Sequence, residues 1–271
     1  MSKRDLQKDN HETRRAWDQN AAYWDEYMGE GNDFVELLCW PVMDRFLELL
    51  PGKWVLDVAC GNGLTSRRLA LKGYQVVAFD FSERMIATAL SRTPPDMKQI
   101  QYLVLDATDN SALLNLGEGK FEAAICNMAL FDMAQIDPLF QALSLLLKPG
   151  AVFIFSVVHP CFNNPATQMV AELEDKNGEL VTNYSIKVRR YLTPSVDHVR
   201  ALRNQPEPQL EFHRALQDLF KPAFNAGFVL DALEERAFPP DHPPGKVPLA
   251  WGANFSEIPP VLIARVRTPP R

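Results

Sequence analysis

The stretch Trp54-Val55-Leu56-Asp57-Val58-Ala59-Cys60-Gly61-Asn62-Gly63 decides the fold. Val55, Leu56 and Val58 are apolar and mostly β-branched, the composition of a strand covered on both faces. Small residues then fall at alternating positions, Ala59, Gly61 and Gly63, and a helical segment over 64–71 follows at once. Gly takes the positive φ of a tight turn, and a side chain at any of the three positions would hold a ligand off the backbone. A helix beginning here aims its free N–H groups at the same spot. The stretch reads as strand, turn and helix, cradling a ligand against main chain.

A dinucleotide site would space its glycines as G-x-G-x-x-G. Here they fall two apart, and the acid Asp57 precedes them inside the strand. That pattern resembles the first motif of the class I S-adenosylmethionine-dependent methyltransferases, D/E-x-G-x-G-x-G, with Ala59 in place of the first Gly. Taken alone, the motif also fits an ordinary βα turn of another α/β protein.

The following segments extend the resemblance. A strand over 75–80 ends in Asp80, in the register where an acid meets ribose hydroxyls in such folds. Phe81 beside it is a candidate contact for the adenine face. Ser82-Glu83 caps a helix with Met85, Ile86 and Ala89 facing inward. A third strand over 101–107 ends in Asp106. The resemblance implies that Asp106 accepts from the adenine amino group and that the Ala107 N–H meets the ring. A fourth strand over 121–128 carries Asn127 to the carboxyl edge of the sheet. Ligands bind there, at the point where strand order reverses, so Asn127 is a candidate for the methionine moiety or the acceptor. A helix over 137–147, the turn Lys148-Pro149-Gly150 and a fifth strand over 151–158 follow.

The expected architecture is α/β: a Rossmann-like, seven-stranded, mostly parallel sheet with an antiparallel last strand. The expected division is an N-terminal helical cap over 1–50, a cofactor-binding methyltransferase core over 51–159, an inserted lid over 160–212, and the C-terminal part of the core over 213–271. Within the cap, residues 1–15 are polar and read as frayed. Trp17, Ala21, Trp24 and Met28 then recur at helical spacing. A second helix over 34–50 is interrupted near Pro41 and stopped by Pro51-Gly52. Alternation over 179–192 suggests a strand or hairpin in the lid. A helix is expected from Phe212 to Ala226, capped by Gly227, then a sixth strand over 228–233 and a last over 258–266.

Methyl transfer from a sulfonium is an in-line displacement, so the protein must hold the acceptor and, for a hydroxyl, remove its proton. His suits that near neutral pH. His159, directly after the fifth strand, is the first candidate base. His213 is the second, because family members often carry a similar His-Arg-x-Leu. The plain alternative is that either ring orients a loop. Trp24, Tyr184 and Tyr191 are candidate substrate contacts.

The 271 residues are 46% hydrophobic and 23% charged, enough for one elaborated core. A formal charge of −6 argues against a polyanionic partner, so no nucleic acid is expected. Cys39, Cys60, Cys126 and Cys161 form no C-x-x-C pair, and Asp132 is the lone acid near the fourth strand's exit, so no metal is expected. No apolar run resembles a signal peptide or reaches membrane-span length, so the expectation is a cytoplasmic protein away from membranes. The reading is an S-adenosylmethionine-dependent methyltransferase acting on a small-molecule acceptor at oxygen or nitrogen by direct displacement, yielding S-adenosylhomocysteine. A protein or RNA methyltransferase, and a non-catalytic S-adenosylmethionine-binding protein, are the alternatives.

Overall fold

The structure is a computed structural model describing residues 5–47, 52–244, 247 and 249–270. Its centre is a seven-stranded sheet built from β1 (Trp54–Val58), β2 (Gln75–Asp80), β3 (Ile100–Val104), β4 (Phe121–Asn127), β5 (Leu147–Val158), β10 (Val229–Arg236) and β11 (Val261–Arg267). The order is β10-β11-β5-β4-β1-β2-β3. The first five strands pair in parallel, and β11 runs antiparallel to both β5 and β10. This is the expected Rossmann-like sheet.

Strand periodicity splits the interior into two cores. Leu56, Val58, Val77, Phe79, Phe153 and Phe155 face one side. There they meet α5 (Asn110–Leu114), α6 (Asp137–Leu146) and α7 (Leu216–Asn225). Val55, Val76, Ala78, Val152 and Ile154 face the other. That face is covered by a π-helical turn (Phe34–Cys39), α2 (Trp40–Leu47), α3 (Leu64–Leu71) and α4 (Glu83–Arg92). Both faces of β1 are therefore covered, which is why its sequence is almost continuously apolar. The expected second helix of the cap is this π-helical turn running into α2, and its expected end over 48–51 lies outside the described residues.

Three local expectations are corrected. Residues 6–15 are helical, while 1–4 of the expected frayed stretch lie outside the described residues: α1 runs Leu6–Met28, and its extended N-cap Asp5 accepts with its side chain from Gln7 N and Lys8 N at 3.2 Å. The buried stripe Asp9, Thr13, Ala16 and Asn20 holds this polar helix down. Secondly, β3 ends at Val104, so Asp106 and Ala107 lie in the loop beyond it. Thirdly, Phe212 and His213 do not open a helix. They end β9 (Gln209–His213), paired antiparallel with β8 (Ser195–Val199), where Leu210 and Phe212 alternate inward. The helix begins at Leu216.

The segment between β5 and α7 holds this β8–β9 hairpin and a second, β6 (Thr167–Lys176) with β7 (Glu179–Val188). The β6–β7 hairpin projects outward, with Leu173 and Leu180 exposed. The β8–β9 hairpin folds back against α1. Asn20, fully buried, donates to Glu207 O and accepts from Glu207 N, each at 2.9 Å.

Candidate active site

The turn after β1 is left-handed at all three small positions: Ala59 (φ 54°), Gly61 (φ 53°) and Gly63 (φ 76°). Its backbone is pinned to β2 by Cys60 N donating to Phe79 O at 2.9 Å. A Cβ built at Gly61 meets no atom within 4 Å, so this backbone faces open space. Gly63 differs. A Cβ there would stand 2.5 Å from the Tyr102 hydroxyl and 3.0 Å from Ala89. Its smallness serves packing under the turn rather than approach of a ligand, correcting that part of the sequence reading.

Asp80, at the end of β2, is 6% exposed. Its Oδ2 accepts from Gly61 N at 3.0 Å and its Oδ1 from Ser82 N at 2.9 Å. A carboxylate has about four acceptor sites, so each oxygen keeps capacity for a further donor. Burial pushes its pKa up to about 6, against the pull of the Ser82 and Gly61 N–H groups. Asp57 lies under the turn, 1% exposed, with Oδ2 accepting from Ser66 Oγ at 2.5 Å. Burial pushes it up to about 7, opposed by the Ser66 hydroxyl and reinforced by the Asp80 charge.

A cavity of about 520 Å³ opens above the carboxyl ends of β1, β2 and β4. That volume suits a small-molecule site. Ala59, Gly61, Asp57, Asp80 and Phe81 line it, as do Asp106, Ala107 and Asn127. Asp106 is already well occupied: Oδ1 accepts from Thr108 N (2.7 Å) and Thr108 Oγ1 (2.8 Å), and Oδ2 from Asn10 Nδ2 (2.5 Å). The Asn127 Oδ1 accepts from Ser156 Oγ at 2.7 Å.

Helix α1 supplies the roof. Trp17 and Trp24 both line the cavity and meet edge to face, centroids 5.2 Å apart. The β5–α7 segment adds Asn163, Asn164, Arg200, Gln209 and Glu211 to the lining. The turn after β4 (Leu130–Asp132) contributes Phe131 and Asp132.

The two candidate histidines do not line this cavity. His159 is 1% exposed, and its Nδ1 accepts from Cys161 N at 3.1 Å. Its Nε2 therefore carries the proton and donates to Glu235 Oε1 at 2.7 Å. Both nitrogens are taken, and burial lowers its pKa despite Glu235. His213 gives Nε2–H to Tyr191 O at 2.7 Å. It sits behind the wall, in a crevice of about 20 Å³ that shares Glu211 and Asn164 with the cavity. Tyr184 packs on Phe255 (5.5 Å), and the Tyr191 hydroxyl accepts from Leu216 N at 2.9 Å, so neither tyrosine reaches the cavity. Of the three candidate substrate contacts only Trp24 lines it.

Among the lining residues that sequence reasoning missed are Asn10, Asn62 and Glu211. Asp132 was noticed only as a lone acid. Its position directly beyond β4 was the available signal. Glu211 had none, because it was expected at the mouth of a helix.

Residues 55–150 match a protein-family model described as a methyltransferase domain. A ubiquinone biosynthesis O-methyltransferase of Xanthomonas campestris is 33% identical over 110 residues, covering 41% of this chain and 45% of that protein. The chain thus spans less than half the length of that curated relative. Among solved structures, an S-adenosylmethionine-dependent methyltransferase from Mesorhizobium loti superimposes with a TM-score of 0.62 at 23% identity, covering 84% of this chain and 96% of that one. A Burkholderia thailandensis 1,6-didemethyltoxoflavin-N1-methyltransferase, solved with bound 1,6-didemethyltoxoflavin and S-adenosylhomocysteine, gives a TM-score of 0.58 at 13% identity, covering 99% of this chain and 92% of that one. Residues 55–150 thus match a methyltransferase domain, on a fold shared with S-adenosylmethionine-dependent methyltransferases, which makes S-adenosylmethionine the cofactor to test against the site. The residues present suit that cofactor. The turn at Gly61 leaves bare backbone facing the cavity, and beside it Asp80 keeps acceptor capacity for hydroxyls.

Proposed function

We propose that this chain is an S-adenosylmethionine-dependent methyltransferase acting on a small-molecule acceptor, at nitrogen or oxygen. The observation that carries the reading is the join between Gly61 and Asp80. One N–H···O bond sets a buried carboxylate beside a left-handed turn that leaves the cavity open. Gly61 and Asp80 would hold the ribose end, Asp106 and Ala107 the adenine, and Asn127 the end nearest the acceptor. When bound, the cofactor supplies an electrophilic methyl group on a sulfonium.

The chain's own part is to bind, orient and exclude water. Trp17 and Trp24 wall the cavity from α1, and Gln209 and Glu211 wall it from the β8–β9 hairpin. A concave cavity of this size favours a small acceptor over a protein or RNA surface. The formal charge of −6 points the same way for RNA.

Calorimetry with S-adenosylmethionine and S-adenosylhomocysteine tests the reading. Wild type should bind both. Asp80→Ala should weaken both on the order of 2 kcal/mol, about thirtyfold. Failure of the folded wild type to bind either compound would remove the cofactor assignment and the enzyme reading with it.

A further inference from the structure

We propose that the acceptor carries a cationic nitrogen, received by the neighbouring carboxyls of Asp132 and Glu211 at the lid end of the cavity. This rests on the methyltransferase reading above and names the substrate class of the same site.

Five carboxyls line the cavity: Asp57, Asp80, Asp106, Asp132 and Glu211. The first three accept hydrogen bonds from within the protein. Asp132 is 8% exposed, and its Oδ1 is buried without a hydrogen-bond partner. A buried carboxyl oxygen with no donor is costly in a folded chain, and a ligand that brings the donor removes that cost.

Glu211 stands close enough for its charge to raise the pKa of Asp132, after burial, the larger cause. Burial and the Asp197 charge push Glu211 itself up to about 7. No cation contributes to either carboxyl. Among the described residues, the one basic side chain lining the cavity is Arg200, whose Nε donates to Gln205 O at 3.1 Å. Arg214 directs its guanidinium to the carbonyls of Leu130, Met133 and Ala134. It clamps the turn that carries Asp132 to the end of β9, so the carboxyl is held in place before any ligand arrives.

A hydroxyl offers one donor and no charge. It can meet the unpartnered Asp132 oxygen, but it brings no charge to the pair of carboxyls. An ammonium group offers two or three donors and a positive charge, and can serve both. Phe131 stands beside Asp132, and Trp17, Trp24 and Trp251 add aromatic surface to the same cavity. Aromatic faces favour cations as well as apolar bodies. The chemistry selected is a compact apolar skeleton bearing an amine. Before its nitrogen has a lone pair to share, such an amine must lose a proton. A buried carboxylate with raised proton affinity is suited to take it.

The test uses the full chain saturated with S-adenosylhomocysteine at pH 7.5, and calorimetry with phenethylamine and tyramine against the matched uncharged alcohols 2-phenylethanol and tyrosol. Wild type should bind the amines at least tenfold more tightly than the alcohols. Asp132→Asn and Glu211→Gln should each abolish most of that preference while leaving S-adenosylhomocysteine affinity unchanged. Glu211→Gln carries the test if Asp132→Asn does not fold. Equal binding of amines and alcohols, no binding of either, or a preference that survives in both variants overturns the proposal. Loss of S-adenosylhomocysteine binding in wild type is a separate result and overturns the methyltransferase reading instead.

Discussion

Asn62, in the turn after β1, donates from Nδ2 to Oδ1 of Asp25 on α1 at 2.9 Å. Its Nδ2 also reaches Gly29 O at 3.3 Å. Asp25 is paired with Arg92 of α4, which reaches on to Glu30 at 3.1 Å. Glu30 in turn meets Arg67 of α3 at 3.2 Å, and Arg67 donates back to Asn62 O at 2.7 Å. The ring of contacts joins the roof helix to the ligand-facing turn.

Asp25→Ala breaks that ring at its shared member. It leaves Asn62 without its carboxylate partner and Arg92 without its closest one. A loss of about 1–3 kcal/mol in stability is expected, the range for a charged hydrogen-bond partner removed. Faster hydrogen exchange over α1 and weaker S-adenosylhomocysteine binding should accompany it. If α1 exchange stays at the wild-type rate, the ring does not hold the roof.

The two glycines of the turn should fail differently. Gly61→Ala and Gly63→Ala both pay the left-handed penalty of about 1–2 kcal/mol. At Gly61 the new methyl enters open cavity, so the further loss appears in S-adenosylhomocysteine affinity. At Gly63 it strikes the Tyr102 hydroxyl and Ala89, so the further loss appears in stability. Urea unfolding beside calorimetry separates the two. Equal effects of both substitutions on both measurements would count against this division.

Much of this was legible from local pattern. The strand-turn-helix at 54–71 and the strand ending at Asp80 follow from periodicity, because alternating apolar residues serve two covered faces. Long-range partners were not legible. Nothing near His159 in sequence reveals Glu235, and nothing near Asp106 reveals Asn10. The start of α1 was misread because its buried stripe is polar: Asp9, Thr13 and Asn20 satisfy one another or the lid rather than forming an apolar face. His213 was misplaced because a short lid strand pairs only with another lid strand, Ser195 lying opposite it.

Asp57 makes stability depend on pH. Its folded pKa of about 7 lies above the ordinary 3.8, because burial disfavours the charge. The folded protein keeps a proton that the unfolded chain releases, so this contribution is full below pH 3.8 and is lost as pH rises to about 7. Asp57→Asn keeps an oxygen for the Ser66 hydroxyl and removes the titration. Relative to wild type, the variant should gain stability between pH 4 and pH 8 in urea unfolding. A constant difference across that range would show that Asp57 does not titrate as burial requires.

His159 has a structural role to be separated from catalysis. Its ring ties the end of β5 to β10 through Glu235 and holds the following turn through Cys161 N. Burial lowers its pKa below the ordinary 6.5, so the folded state prefers the neutral ring. That contribution is present above pH 6.5 and is lost as pH falls, because the unfolded chain then binds the proton more readily. His159→Ala leaves the Cys161 N–H without its acceptor, while exposed Glu235 turns to water. A loss of about 1–3 kcal/mol is expected at pH 7.5, shrinking toward pH 5. S-adenosylhomocysteine affinity should stay within about twofold of wild type, since the ring lies outside the cavity. Unchanged stability together with abolished methyl transfer would instead return His159 to the chemistry, and would require a ring rotation that frees Nε2 from Glu235.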